Sequence, residues 1–181
     1  MKNKKDFLYL LILKLKIMKN KIDVYKDFFD FQTNETIIKL LQRPKWSFTG
    51  GGSNGNFKSF FWHMDNLETE DFFQNLFNTI KNKLKLNKKY KLLRCYANGQ
   101  TAGQSGYEHQ DDGDLTILYF PDYWEYQWGG HLLFSNGKEL TNIVEYSKNK
   151  LIKFNAKQLH FATAPVNIFI GLRTSLAFKI V

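Results

Sequence analysis

Residues 107–120 of the chain are YEHQDDGDLTILYF, a polar and aromatic segment followed by an apolar one. This pattern predicts two short β-strands, 107–111 and 115–120, joined by a turn of Asp and Gly. Side chains two positions apart in a strand point to the same face of the sheet. We therefore expect the imidazole of His109 and the carboxylate of Asp111 to project together, as two ligands of one metal ion would.

Short β segments also fill the rest of the chain after residue 90. They are separated by Gly, Asn and Asp, which favour turns. The predicted strands are 90–97, 107–111, 115–120, 130–134, 141–146, 150–155, 158–163 and 173–180. Many short strands of this kind predict a sandwich or jelly roll. The expected fold class is α+β, mostly β, with a double-stranded β-helix (jelly-roll) core.

The part of the chain before residue 90 carries two helical patterns. The shorter is 35–42, with Thr33 and Asn34 as candidate caps, and the longer lies within 68–86. The apolar residues that recur at helical spacing in the longer pattern are predicted core contacts: Phe72, Phe73, Leu76, Phe77, Ile80 and Leu84. We expect the N-terminal helices to pack on one sheet, within a single domain of residues 18–181 whose catalytic core is 90–181.

Residues 1–17 are treated as an uncertain N-terminal extension of that domain. The apolar run 7–13 is too short to span a bilayer, and no small-residue cleavage site of a secretory signal follows it. The segment beginning at Met18 repeats the opening Met-Lys-Asn-Lys, which makes Met18 a second candidate for the start of translation. No membrane association is expected.

Composition narrows the class of protein. The chain has 181 residues, 43% of them hydrophobic and 17% aromatic, which indicates a packed domain rather than a disordered chain. The single cysteine, Cys95, excludes an intramolecular disulfide and fits a cytoplasmic protein. The net charge of +9 is concentrated in the lysines between 81 and 91. Because this cluster contains no Arg, the preferred partner of phosphate, we interpret it as a solvated face and do not expect nucleic acid as a partner.

A third candidate metal ligand, His160, follows on a later predicted strand. Two histidines and one carboxylate make a facial triad, which leaves three positions open on a non-haem iron. The last strand, RTSLAFKI, begins at Arg173. Alternation places Arg173, Ser175 and Ala177 on one face of that strand. A cation followed by small residues suits a small dianion in a narrow barrel.

Seven motifs in residues 92–181 make this part of the chain resemble the catalytic domain of the prolyl 4-hydroxylase-type 2-oxoglutarate/Fe(II) oxygenases. In chain order they are YANGQ at 96–100, YEHQD at 107–111, ILY at 117–119, GGHLLF at 129–134, LIKF at 151–154, His160 with Pro165-Val166, and RTSL at 173–176. Residues 22–41 are similar, more loosely, to the first strand and helix of that family. The segments 99–109 and 165–173 are longer than is usual in the family.

The resemblance implies the cofactors and the roles of the site residues. The iron ligands that it implies are His109, Asp111 and His160. Arg173 would bind the distal carboxylate of 2-oxoglutarate, with help from the Tyr119 hydroxyl. Tyr96 would lie beside the co-substrate, and Ser175 would add a hydrogen bond. The implied reaction uses Fe(II), 2-oxoglutarate and O2, with ascorbate as a candidate accessory, to hydroxylate a substrate C–H bond and release succinate and CO2.

Three functions remain open at this point. By resemblance the first is a hydroxylase of a peptidyl proline, so a peptide or protein is the expected partner. The aromatic stretch 123–128 would support it if its rings lie at the cavity rim, although they would serve equally well as a cap on the barrel. The second is a hydroxylase of a small molecule, such as a free amino acid or a nucleobase, for which no second cation besides Arg173 stands out. The third is a metal-binding jelly roll without catalytic activity.

Other segments of the sequence also contain features that are typical of functional sites. His63-Met-Asp65 is a second H-x-D motif, but no tyrosine-rich strand precedes it, and we interpret His63 as a structural residue. We expect His131, which follows a glycine pair, to point away from the metal. The segment 49–56, TGGGSNGN, contains four glycines and is predicted to be a flexible loop and a candidate lid over the cavity.

Overall fold

The computed structural model describes residues 21–49, 51–54 and 57–181. The uncertain N-terminal extension, 1–17, lies outside the described residues. Within them, no helix has both the length and the apolar character that crossing a membrane requires.

The described residues contain two α-helices: α1 is Phe31–Leu41 and α2 is Asp71–Lys83. The cap predicted for α1 was wrong, because the helix begins four residues earlier than the apolar pattern suggested. Asp30 is the N-cap, and its carboxylate accepts a 2.8 Å hydrogen bond from the backbone N–H of Thr33. The predicted core contacts of α2 are confirmed. Four of its residues are buried, and Phe72 and Leu84 are partly buried against the same core.

Twelve β-strands lie within the described residues. They are β1 Asp23–Tyr25, β2 Ser47–Phe48, β3 Gly51–Asn54, β4 Phe57–Ser59, β5 Trp62–Met64, β6 Leu92–Gln100, β7 Leu115–Phe120, β8 Leu132–Ser135, β9 Leu140–Val144, β10 Lys150–Asn155, β11 His160–Ala162 and β12 Arg173–Ile180. The predicted bounds of β7, β10 and β12 agree with the structure.

The strands form two facing sheets and one separate hairpin. The larger sheet has the order β1-β10-β7-β12-β6-β5-β2, the smaller has the order β11-β8-β9, and β3 pairs with β4. All the pairings are antiparallel. This arrangement confirms the predicted jelly roll with N-terminal helices on one sheet.

The larger sheet separates two hydrophobic cores. On its outer face, residues of α1 and α2 such as Ile37, Phe73 and Ile80 pack against Ile117 and Phe178 of the sheet. On its inner face lies the core between the two sheets, built from Leu118, Phe120, Leu132, Phe134, Ile152 and Phe154. Successive residues of β7 and β12 therefore alternate between the helices and the interior of the jelly roll.

Two predictions about irregular segments were wrong. Residues 107–111 are not a strand, because pairing is limited to one isolated bridge between His109 and His160. The N–H of Asp111 instead bonds to the carbonyl of Ala156, 2.8 Å away. Within the predicted flexible loop 49–56, residues 51–54 form β3 and pair with β4. Residues 50, 55 and 56 of that candidate lid lie outside the described residues.

Candidate metal centre and its cavity

The two histidines of the predicted triad lie directly opposite each other. His109 and His160 exchange both of their backbone hydrogen bonds, each 3.0 Å long, across the isolated bridge. Their rings consequently project to the same side, with centroids 4.5 Å apart. The short bridge therefore places the two rings side by side, as a continuous strand pairing would.

Both imidazole rings are held in an orientation that suits metal binding. Nδ1 of His109 lies 2.8 Å from the carbonyl oxygen of Tyr107, and Nδ1 of His160 lies 2.8 Å from that of Gln158. Because a carbonyl oxygen can only accept, each Nδ1 donates, and in the neutral ring Nε2 keeps its lone pair. Burial lowers the pKa of His160 to about 4, so this ring is neutral at pH 7.

Asp111 completes the group from a buried position. Its carboxylate oxygens lie 3.5 Å from Nε2 of His109 and 3.4 Å from Nε2 of His160. Burial alone would raise the pKa of Asp111, but the close approach of the His109 ring and the ammonium of Lys179 hold it well below its usual range. Oδ2 also accepts a 2.6 Å hydrogen bond from Thr116. The carboxylate is therefore ionised and fixed.

The three side chains form a group that fits a metal ion. The potential ligand atoms of His109, Asp111 and His160 all lie within 4.8 Å of one another, and among the described residues this is the one such group of three. Two imidazole nitrogens and a carboxylate at this separation can all reach one metal ion placed between them. Imidazole and carboxylate suit a non-haem iron with open positions.

A cavity between the two sheets begins at this group. Its apolar walls are Phe61, Leu118, Phe120 and Leu132. Its polar lining consists of Tyr96, Asn98, Gln100, Arg173, Ser175 and Lys179. The buried Oδ1 of Asn98 has no hydrogen-bond partner within the described part of the chain. An orphaned buried oxygen of this kind indicates that the cavity is shaped for a ligand.

Arg173 lies at the end of the cavity away from the metal group, and only 1% of its surface is exposed. Nε donates to the carbonyl of Gly130 at 2.7 Å, and Nη1 donates to Oε1 of Gln100 at 2.9 Å. The guanidinium also lies over the rings of Phe120 and Tyr146, at 5.3 and 4.8 Å from their centroids. Burial lowers the pKa of Arg173 to about 10, so the cation persists at neutral pH.

The glycine pair of the GGHLLF motif makes room for this arginine. Gly130 has φ +69°, and a Cβ there would lie 2.8 Å from Cδ and 2.9 Å from Nε of Arg173. Gly129 has φ +66°, but a Cβ there would meet Val166 at an ordinary 3.4 Å. The motif is therefore explained by backbone conformation at both positions and by close approach at the second.

The role predicted for Tyr119 is corrected by the structure. Tyr119 lies in the core between the larger sheet and the helices, on the face of β7 opposite to Leu118 and Phe120. Its hydroxyl donates to Oδ1 of Asn34, and it lies 2.8 Å from Oδ1 of Asn149. Because residues of a strand alternate, Tyr119 cannot share the cavity face with its two neighbours.

Tyr96 and Ser175 line the cavity, and their contacts with 2-oxoglutarate stay a prediction. The cavity also contains a residue that the sequence interpretation missed. Lys179 is 1% exposed, and its Nζ forms an ion pair with Oδ2 of Asp111. The signal for it was present, since Lys179 has the same strand parity as Arg173 and Ser175. A lysine in a lysine-rich chain did not stand out by residue type.

The remaining candidate residues lie away from the metal group. His63 is on β5, with its ring 4.7 Å from that of Phe61. His131 precedes β8 and is not among the residues that line the cavity. In the aromatic stretch 123–128, Trp124 is buried and packs against Trp128, Tyr146 and Phe169. It therefore closes the jelly roll on the Arg173 side rather than forming the rim.

No protein-family model matches the sequence, and no curated protein matches it. Solved structures do resemble this one. A prolyl hydroxylase from Trichoplax adhaerens, in complex with a peptide of the hypoxia inducible factor oxygen degradation domain, has a TM-score of 0.68 and 14% identity, over 98% of this chain and 93% of that one. HygX from Streptomyces hygroscopicus, with nickel and 2-oxoglutarate bound, has a TM-score of 0.69 and 12% identity, over 98% and 87%.

A third similar structure is the epimerase SnoN in complex with Fe3+, α-ketoglutarate and nogalamycin RO. Its TM-score is 0.66 at 13% identity, over 97% of this chain and 84% of that one. The three structures thus include one solved with a peptide and one solved with a small molecule. The chain has the fold shared by prolyl hydroxylases and other 2-oxoglutarate- and Fe(II)-dependent oxygenases, as the sequence resemblance implied.

Proposed function

We propose that this protein is an Fe(II)- and 2-oxoglutarate-dependent dioxygenase that hydroxylates a substrate C–H bond and releases succinate and CO2. His109, Asp111 and His160 would hold the iron, and Arg173 would bind the distal carboxylate of 2-oxoglutarate. The observation that carries the proposal is the convergence of two lone-pair nitrogens and a buried carboxylate at one end of a cavity, with a buried guanidinium at the other.

Each side chain has a definite task in this proposal. The bound iron would supply the activation of O2, which no side chain of the cavity can perform. Arg173 would orient the co-substrate, since a guanidinium binds a carboxylate through two parallel hydrogen bonds. Its contacts with Gly130 and Gln100 fix the guanidinium before the ligand arrives. The apolar walls Phe61, Leu118 and Phe120 would exclude water around the reacting bond.

The prime substrate that we propose first is a prolyl residue within a peptide. The exposure of the site supports a peptide substrate. The His109 side chain is 28% exposed, so one of the three proposed metal ligands can be reached from the protein surface. Tyr107, two residues earlier, is 43% exposed, and Gly106 lines the cavity beside it. A peptide held on the surface can present a ring to a site that opens in this way, and an exposed tyrosine is a suitable contact for proline.

A small anionic substrate is the second candidate, and Lys179 favours it. A free amino acid needs a cation besides Arg173 for its own carboxylate, and no such cation stood out in the sequence motifs. Lys179 is a second buried cation within the same cavity. A carboxylate of a free amino acid would gain from its charge.

One experiment tests the activity and separates the substrate classes. The purified protein is incubated with Fe(II), ascorbate, O2 and 2-oxoglutarate, and succinate is measured. A panel of proline-containing peptides, free amino acids and nucleobases is then searched by mass spectrometry for the addition of one oxygen. Succinate release with a modified peptide is the expected result. A metal-binding jelly roll without catalytic activity would bind iron and release no succinate under any of these conditions.

A further inference from the structure

Lys179 is an unusual neighbour for a metal ligand. It lies on the inward face of β12 and is 1% exposed, so its charge is enclosed by the protein. Its Nζ pairs with Oδ2 of Asp111 and lies 5.6 Å from the centre of the Tyr96 ring. β12 lies between β7 and β6, and Lys179 is paired with a residue of each neighbouring strand, which holds its backbone beside the site. The ammonium therefore stays close to whatever Asp111 binds.

The charges of the cavity do not balance when a metal is added. Its lining contains the cations Lys179 and Arg173. The carboxylate of Asp111 pairs with Lys179, and that of Asp122, which is hydrogen-bonded to Thr174, lies near enough to Arg173 to act on its charge. A divalent ion would add two positive charges to a lining that holds two cations and no acidic side chain of its own. Repulsion between buried charges is strong because little water screens them. A dianion beside the metal would remove most of that excess.

We propose that Lys179 is a positioning residue that couples metal binding to the binding of the dianionic co-substrate. Without metal, its ammonium neutralises Asp111 and, together with Thr116, holds the carboxylate in place. With metal alone, the same ammonium repels the ion. With metal and 2-oxoglutarate, the charges are nearly balanced and both ligands are held. This inference rests on the proposed function, and it adds that the metal is retained firmly only in the presence of the co-substrate.

Coupling of this kind is reciprocal and can be measured without turnover. The factor by which 2-oxoglutarate strengthens metal binding must equal the factor by which the metal strengthens 2-oxoglutarate binding. Mn(II) serves as the probe, titrated into the metal-free protein with and without saturating 2-oxoglutarate, with tryptophan fluorescence or calorimetry as the readout. The proteins compared are the wild type, Lys179→Met, Lys179→Gln and Thr116→Val.

The variants distinguish the effect of the Lys179 charge from the effect of the orientation of the Asp111 carboxylate. In the wild type, 2-oxoglutarate should lower the Kd for Mn(II) by roughly ten- to a hundred-fold. In Lys179→Met this factor should fall several-fold, chiefly because Mn(II) alone binds more tightly, while the part that comes from direct contact between 2-oxoglutarate and the metal remains. Lys179→Gln keeps a donor for Asp111 without the charge and should behave like Lys179→Met. Thr116→Val removes only a neutral hydrogen bond to the same oxygen and should keep the wild-type factor.

Several results would overturn the inference. An unchanged factor in both Lys179 variants, with Mn(II) still bound, would remove the role of the charge and leave the proposed function intact. An equal loss in Thr116→Val would assign the effect to the orientation of Asp111 alone. If the wild type bound no Mn(II) with or without 2-oxoglutarate, the proposed function would fail as well. Thermal unfolding of each variant verifies that it is folded, and Lys179→Gln decides the matter if Lys179→Met does not fold.

Discussion

The chain contains two H-x-D motifs, and the structure gives them different surroundings. His109-Gln-Asp111 faces a second histidine across a backbone bridge, and its aspartate is buried. His63-Met-Asp65 lies on the edge-side strand β5, where His63 stands opposite Asn98 on one side and Ser47 on the other. The same three-residue spacing thus belongs to a candidate metal site in one place and to an ordinary strand end in the other.

Asp65, like Asp111, has charged neighbours, but it lies at the protein surface rather than in the interior. Asp65 is exposed and borders a polar cleft that also contains Glu68 and Arg94. Arg94 forms a 2.6 Å ion pair with Asp112, and both side chains are about half exposed. Water screens charges at such a site, so little binding energy is available there. An H-x-D motif therefore becomes informative only together with a third ligand and a dry cavity.

The largest expected effect separates the two aspartates. Asp111→Asn removes the charged ligand and should lower turnover by more than about 100-fold, since even outer partners of metal ligands contribute 10- to 100-fold. Asp65→Asn should leave turnover unchanged, because the side chain is exposed. Succinate release measured well below the Tm of each variant checks this, since Asp111→Asn also deprives Lys179 of its ion pair. Equal losses of turnover in the two variants would show that the two H-x-D motifs do not differ in function.

The two arginines should differ in the same way. Arg173→Ala should cost about 1.5–3 kcal/mol of co-substrate binding, which raises the KM for 2-oxoglutarate roughly ten- to a hundred-fold. Arg94→Ala removes a screened ion pair and should change that KM by less than about two-fold. Steady-state kinetics with varied 2-oxoglutarate checks both. An unaffected KM in Arg173→Ala would move the anchoring role to another cation.

A smaller effect should distinguish the two adjacent glycines. Alanine at either position must adopt a positive φ, which costs on the order of 1–3 kcal/mol of stability. Only Gly130→Ala also collides with Arg173, so it alone should raise the KM for 2-oxoglutarate, by about five-fold if the displacement costs ~1 kcal/mol. Gly129→Ala is the matched control. A similar KM in both variants would mean that Arg173 tolerates the collision.

The smallest effect belongs to a residue outside the cavity. Tyr119→Phe removes the hydroxyl that donates to Asn34 and lies beside Asn149, and it should lower the free energy of unfolding by about 1–2 kcal/mol. The KM for 2-oxoglutarate should not change, because Tyr119 faces the helices. Urea denaturation and steady-state kinetics check the two parts. A raised KM at unchanged stability would restore the role that the sequence suggested.

The sequence predicted the triad and Arg173 because these residues depend on local spacing and on motif order. The sequence could not show which face of the sheet Tyr119 lies on. The bounds of β7 were predicted correctly, but they do not determine which alternate residues of the strand face the interior of the jelly roll. The sequence interpretation also missed the partner of Asp111, because Lys179 lies 68 positions away along the chain and meets it only through the fold. Contacts between distant segments, such as the bridge at His109, are decided by tertiary packing rather than by residue type.

The most direct test of the central claim is spectroscopic. Anaerobic Fe(II) protein is titrated with 2-oxoglutarate, and the weak visible charge-transfer band of a chelated iron is recorded for the wild type, His109→Ala and His63→Ala. We expect the band in the wild type and in His63→Ala, and its loss in His109→Ala, where one of three ligands is gone. A band that survives in His109→Ala and disappears in His63→Ala would assign the iron to the other H-x-D motif.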